Sequence, residues 1–343
     1  MRTTVLKALG VAAVVLVAVL AIYLYWEWHR PLDPGADTYV LRPGTSLRGL
    51  AAQLRERGVL RETRSFVLLG YVSGRTRSLK AGEYRFRAGM NARELLEQVS
   101  AGRVVEYPFV IVEGWTIHQV RQALANTPKL TQTLTGVDND ELMRSLGRPG
   151  VHPEGRFFPD TYYFSADHTD VAILARALEK MEARLASEWG SRAADLPLKN
   201  ADEALTLASI VEKETSRPEE RRLIAGVFVN RLRKGMRLQT DPTVIYGIGP
   251  KFDGNIRRRD LLTNTPYNTY LRTGLPPTPI AMPGGASLAA ALHPADTPAL
   301  YFVSRGDGSH VFSATFAEHN AAVVKYQLGG KPAKQGPKGA SQR

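Results

Sequence analysis

From Ala8 to Trp26 the chain carries no charged side chain, and Val, Ala and Leu dominate. Those 19 residues, rising about 1.5 Å each in a helix, match the roughly 30 Å hydrocarbon core of a bilayer. Tyr23, Tyr25, Trp26 and Trp28 form an aromatic belt at one end, and Arg2 and Lys7 mark the other. The pattern predicts a single transmembrane helix within residues 1–30, with the N-terminus in the cytoplasm and the remaining chain across the membrane. A cleaved signal peptide is the rival reading. It would have a shorter apolar run ending in a small-x-small site, whereas this run ends in bulky aromatics.

Beyond a linker at 31–38, one pattern occurs three times. Tyr39-Val-Leu-Arg-Pro-Gly44 is followed by Ser46, Leu50 and Leu54. Tyr84-Arg-Phe-Arg-Ala-Gly89 is followed by Asn91, Leu95 and Val99, and Phe109-Val-Ile-Val-Glu-Gly114 by Thr116, Val120 and Leu124. Each copy reads as a short strand, a turn glycine, a helix-capping residue and apolar positions four apart, with Asn91 and Glu94 forming a capping box. The copies are either a recurrent packing unit without a ligand or, for the first two, a carbohydrate-binding module at 39–105 resembling the LysM fold.

Residues 106–328 read as a second, mixed domain. Apolar spacing predicts helices over Val171–Trp189 and Glu203–Thr215, and a third capped by Ser216 that ends at Arg233, Lys234 and Gly235. A Pro/Gly-rich stretch covers Asp241–Gly285. Strands are expected at Leu300–Ser304 and His310–Ser313, and a last helix at about Ala317–Leu328. The tail, 329–343, is rich in Gly, Pro and Lys and is expected to be disordered. The fold class is therefore α+β: a single N-terminal transmembrane helix, a strand–helix module and a mixed α+β domain.

Composition narrows the chemistry. The 343 residues contain no cysteine, which excludes disulfides, Cys-ligated zinc, iron–sulfur clusters and thiol catalysis. The formal net charge is +12. On a soluble protein that would raise nucleic acid as a partner. Here no RRM, KH or zinc-finger pattern is present, and an anionic lipid or wall polymer suits a domain outside the membrane better. The seven histidines form neither HxH nor HExxH, and no GxSxG elbow or Walker loop occurs, so neither a metal nor a nucleotide cofactor is expected.

Carboxylates remain. In the helix containing Leu205-Thr-Leu-Ala-Ser-Ile-Val-Glu-Lys-Glu-Thr215, a helical wheel puts Glu214 and Thr215 on the apolar stripe of Ala204, Leu207, Ala208 and Val211. Glu212 lies about 100° away, so the two acids diverge. An acid continuing a core stripe is desolvated; its pKa rises, and it can donate a proton near neutral pH. The other reading is a helix end whose Glu simply meets solvent.

The segments LASIVEKET, VFVNRLRKGMRLQTDPTVIYG, TPYNTYLRTGLPPTPI and LHPADTPALYFV, with EGRFFPDTYYF upstream, strongly resemble the endolytic murein transglycosylase (YceG-like) family over about Tyr39–Gln327. Arg156 departs from the family, which usually has an apolar or aromatic residue there. The resemblance implies an enzyme of the periplasmic face of the inner membrane that cuts the β-1,4 bond between N-acetylmuramic acid and N-acetylglucosamine without water. Glu214, the second Glu of the EKET motif, would protonate the leaving oxygen, then deprotonate the muramic acid 6-hydroxyl as it attacks C1, leaving a 1,6-anhydro end. Gln239, Thr240, Asp241, Tyr267, Asn268 and Tyr270 are candidate sugar contacts or plain turn formers. Glu154 and Asp160 are candidate second carboxylates, with Asp160 suited to fixing a local turn. The expected partners are peptidoglycan glycan strands, membrane lipid and peptidoglycan synthases. A non-catalytic wall-binding scaffold for those synthases is the alternative.

Overall fold

The computed structural model describes residues 2–166 and 168–329. They form two compact units. One comprises Met1–Pro108, Lys129–Thr131 and Tyr163–His168; the other comprises Phe109–Pro128, Gln132–Tyr162 and the chain from Thr169 onward. The expectation for the tail beyond Gly329 lies outside the described residues.

The first unit begins with α1 (Arg2–His29), whose side chains from Thr4 to Tyr23 are exposed around the whole helix. By length and composition Thr4–His29 can cross a membrane, which fits an anchor or a signal sequence. The end of α1 is built into the unit. Trp28 Nε1 donates to the Ser65 carbonyl at 2.9 Å. Just beyond the helix, Leu32 is buried and exchanges backbone hydrogen bonds with Met90 and Gly89. The segment read as a linker is thus docked, with Tyr39 Oη donating to the Pro34 carbonyl at 2.8 Å.

After it come β1 (Tyr39–Leu41), α2 (Leu47–Glu56), α3 (Thr63–Val72) and β2 (Gly82–Tyr84), with β1 and β2 antiparallel and Tyr39 opposite Tyr84. Then follows α4 (Ala92–Ala101). Ser46 caps α2, and Asn91 with Glu94 forms a complete capping box on α4, so the polar signals read from the repeats act as helix starts. Leu50, Leu54, Phe66, Leu69, Tyr84, Leu95 and Val99 fill the core. Helix α3 has no counterpart in the sequence reading.

β3 (Tyr107–Val110) pairs with β4 (Thr161–Phe164) in a two-stranded sheet. The second unit contains α5 (Ile117–Ala125), opened by the Thr116–Gln119 capping box, then α6 (Asn139–Ser145), α7 (Asp170–Gly190), α8 (Ala201–Glu214) and α9 (Arg221–Arg233). There follow α10 (Asp241–Ile248), α11 (Arg258–Leu262), α12 (Gly285–Leu292), the antiparallel hairpin of β5 (Tyr301–Ser304) and β6 (His310–Ser313), and α13 (Phe316–Tyr326).

Helix α8 is the axis of this unit. It packs against α7, α9, α10 and α12, and every residue from Ala204 to Val211 is buried. The single apolar stripe read from the wheel is therefore too narrow, because this helix is enclosed on all sides. Small residues make that enclosure feasible: Ala204 and Ala208 on α8 join one core with Ala290 and Ala291 of α12. Helix α9 starts at Arg221, not after Ser216. Thr215 leaves the helix in extended geometry (φ −147°, ψ 138°), and Pro218 falls in the turn between the two helices. Helices α10 and α11 lie inside the stretch read only as Pro/Gly-rich. There Pro242, at the start of α10, favours a helix because its ring presets φ where no hydrogen bond is lost.

Candidate active site

Glu214 is the last residue of α8, so the buried helix delivers its carboxyl to the point where the chain turns outward. A helix C-terminus carries partial negative charge and disfavours a second negative group. Next to it the chain between α9 and α10 is held in a constrained turn. Gln239 has φ 49°, uncommon for a residue with a Cβ. Its N–H donates to the Thr269 carbonyl at 3.1 Å, and the Thr240 N–H donates to Thr269 Oγ1 at 3.1 Å. With its backbone so fixed, Thr240 donates its hydroxyl to Glu214 Oε1.

The Glu214 carboxyl is pushed up to about 7. Burial is the main cause, and the negative charge of Asp241 adds to it; the Thr240 hydrogen bond, the neighbouring His310 and the Arg231 cation oppose it. Part of the side chain still faces a cavity of about 520 Å³. A proton-bearing carboxyl at the wall of an open cleft is equipped to act as a general acid at neutral pH.

Arg231 and His310 line the same cavity. Arg231 is buried on α9, with Nε donating to the Leu300 carbonyl at 2.6 Å and Nη1 to the Leu238 carbonyl at 2.8 Å. Its guanidinium lies 5.2 Å from the centre of the Tyr301 ring. His310, the first residue of β6, is clamped by Glu220: the carboxylate accepts the His310 backbone N–H at 2.9 Å and meets Nδ1 at 2.6 Å. A carboxylate can only accept, so Nδ1 carries the hydrogen.

The structure divides the remaining expected site residues. Gln239, Asp241 and Tyr270 line the cavity with Glu214, and Tyr270 Oη donates to Asp241 Oδ1 at 2.6 Å. Tyr267 and Asn268 do not line it. The Tyr267 ring packs edge-on against Tyr246 at 4.7 Å. Asn268 is buried, its amide donating to the carbonyls of Asp260, Leu261 and Thr263 and its oxygen accepting the Tyr270 N–H. Asn268 thereby ties down the loop that carries Tyr270.

The other acids are engaged elsewhere. Glu212 accepts the Gly284 N–H at 3.0 Å, diverging from Glu214 as the wheel requires. Glu154 is buried away from the cavity, joining the start of α5 to α10 through Ile117 N–H and Tyr246 Oη, each at 3.0 Å; burial pushes it up to about 7. Asp160 accepts from Lys180 and from the Thr161 N–H, which hold its carboxyl below the usual range. A larger cavity, about 790 Å³, opens at the other end of α8, where Asp202 and Glu203 already pair with Arg156 and Lys199. Among the described residues no group of three or more His, Asp or Glu side chains could hold a metal ion.

Sequence reasoning missed Arg231, His310, Tyr301, Phe316 and His319. Arg231 sits in a basic run that reads as a helix stop, and an isolated histidine in a strand carries no spacing signal. Only pairing β5 with β6 beside α9 reveals that they converge.

Comparison with known proteins bears on the chain as a whole. The YceG-like family model matches residues 39–325. The endolytic murein transglycosylase of Bacillus subtilis is 32% identical over 317 residues, covering 87% of each chain. That of Streptococcus pneumoniae is 26% identical over 373 aligned positions, covering 93% of this chain and 65% of the relative. The crystal structure of a yceG-like protein from Listeria monocytogenes aligns with a TM-score of 0.53 at 31% identity, covering 84% of this chain and all of that one.

Proposed function

The chain belongs to the YceG-like family and is a peptidoglycan lytic transglycosylase, and we propose that Glu214 is its catalytic acid. The observation that carries this reading is the Glu214 carboxyl itself: desolvated, pushed up to about 7, bonded by Thr240 and open to a cleft. In the proposed reaction Glu214 gives its proton to the oxygen between muramic acid and glucosamine as the bond from C1 breaks. The 6-hydroxyl of the same muramic acid then bonds to C1, and Glu214 takes back a proton from that hydroxyl. The product is a 1,6-anhydro end. An attacking group already attached to the sugar has a high effective concentration, so no second carboxylate is needed to activate water.

Gln239, Asp241 and Tyr270 are proposed to hold the sugar rings at this acid; Thr240, expected as a sugar contact, is buried and does not line the cavity, and is proposed to position the acid instead. Tyr267 and Asn268 are proposed to act through the loop that carries Tyr270. Helix α1 is proposed to be an uncleaved, single-pass anchor in the inner membrane, with the N-terminus in the cytoplasm. The packing of Trp28 and Leu32 into the first unit supports retention of the helix. The β1–α2–α3–β2 order with antiparallel outer strands supports a LysM-like, glycan-binding module. An anchored enzyme is proposed to act on nascent strands near the membrane, beside the synthases that make them.

The test is digestion of uncrosslinked peptidoglycan by the full chain in detergent, read by mass spectrometry. Anhydro-muramyl ends are expected, and they should vanish in Glu214→Gln. Ends with a reducing muramic acid would make the protein a hydrolase, and undiminished activity in Glu214→Gln would remove the assignment.

A further inference from the structure

The cavity that holds Glu214 has a second wall that the acid chemistry does not use. It is built by β5 and the first turns of α13. The Tyr301 and His319 rings stack with centroids 5.2 Å apart and planes 24° apart. Phe316 leans on the same pair, 5.9 Å from Tyr301 and 6.4 Å from His319. Tyr301 also lies under the Arg231 guanidinium, so its position is fixed from both sides.

Two features of this corner suit a ligand. Phe316 lines the cavity and is 61% exposed, so its ring is open to whatever enters the cleft. His319 lines the same cavity, yet its Nδ1 is buried and has no hydrogen-bond partner among the described residues. A buried polar atom without a partner is costly unless a ligand or water completes it. A ligand that satisfies both must bring an apolar face for the ring and a hydroxyl or amide beside it.

We propose that this corner is a sugar-stacking subsite, in which Phe316 takes the C–H face of one pyranose of the glycan strand and His319 bonds a polar group of the same ring. A β-linked aminosugar fits by its shape. Its ring substituents are equatorial, so the axial C–H bonds form a flat apolar face and the hydroxyls and N-acetyl group lie at the edge. The subsite shares one continuous cavity with Glu214, so a strand seated on Phe316 runs past the acid. This holds an internal stretch of the strand in the cleft and favours cutting within it. The proposal rests on the transglycosylase reading of that cavity for the identity of the sugar.

Binding tests it without turnover. Purified uncrosslinked glycan strands are titrated into full-length Glu214→Gln protein in detergent, alone and combined with Phe316→Ala or Phe316→Trp. The exposed position of Phe316 makes both substitutions compatible with the fold. Phe316→Ala should weaken Kd about tenfold, the upper range for one aromatic contact, and Phe316→Trp should restore it. The tryptophan emission should also shift to the blue as strands are added. An unchanged Kd in Phe316→Ala, or a Phe316→Trp protein no better than the alanine variant, overturns the subsite. Wild-type protein that yields no anhydro ends while Kd still depends on Phe316 overturns the transglycosylase reading and upholds the platform.

Discussion

Thr240 occupies the capping position of α10, yet its hydroxyl donates to Glu214 Oε1 and makes no cap bond to the helix behind it. A threonine at that position would ordinarily hold the first turn of its own helix. Here Pro242 and the bonds of Thr269 fix the start of α10, which leaves the hydroxyl available to the acid.

Thr240→Val should therefore alter the acid and leave α10 in place. The hydroxyl favours the ionised carboxylate, so its loss raises the Glu214 pKa further above about 7. The acid works only when protonated. The alkaline limb of kcat/KM, set by Glu214 in the free enzyme, should move to higher pH in the variant. A pH series scored by release of anhydro ends checks this; a limb that stays in place or moves to lower pH contradicts it.

Glu154→Gln should change how stability depends on pH. In the unfolded chain Glu154 titrates near 4.5, and in the fold near 7. Folded protein holds that proton more tightly, so the associated stability is fully present below pH 4.5 and is lost as pH rises through 7. The loss is on the order of 3 kcal/mol for a group of this shift. Denaturant unfolding at pH 5 and pH 8 should show a smaller difference for Glu154→Gln than for wild type, with the gain confined to pH 8. Glu214→Gln should flatten the curve in the same direction, since its carboxyl is raised for the same reason.

The helix that carries the acid was legible because its apolar positions recur at helical spacing and its end is marked by charge. What the wheel could not show is that α8 is enclosed on every side, because that depends on small residues of α12 arriving from 80 positions away. Helix α12 was itself invisible: buried against α8, its Ala-rich sequence has no polar face and hence no period to read. Gln239, Thr240 and Asp241 were recognisable as a polar turn after α9. The split between Tyr270, in the cavity, and Tyr267, outside it, was not legible. It is set by the Asn268 amide gripping three backbone carbonyls, a contact with no trace in residue type or spacing.

Gly226 illustrates a constraint of packing alone. It lies within α9, where alanine is intrinsically better by about 1 kcal/mol. A Cβ there would sit 2.6 Å from the Ala295 carbonyl oxygen and 2.8 Å from Thr297 Cγ2. The Ala295 segment cannot simply retreat, because its N–H is bonded to the Arg222 carbonyl at 2.9 Å. Gly226→Ala should therefore lower stability by about 1–3 kcal/mol despite its helix propensity. Thermal or denaturant unfolding decides the sign, and a stabilised variant would show that the segment yields.

Glu220 links the start of α9 to the cavity wall through a single side chain. Its carboxylate accepts the His310 backbone N–H and holds the hydrogen on Nδ1. Glu220→Gln preserves shape but offers an amide in place of one oxygen. An NH₂ group facing Nδ1 forces the other tautomer, and an oxygen there leaves the His310 backbone N–H unpaired. Either arrangement should cost about 1–3 kcal/mol of stability, because the side chain is only 8% exposed. If His310 also serves the reaction, kcat should fall in Glu220→Gln at temperatures well below unfolding, and the ¹⁵N shifts of the His310 ring should report the changed tautomer. Loss of stability with unchanged kcat would confine the Glu220–His310 pair to holding β6 in place.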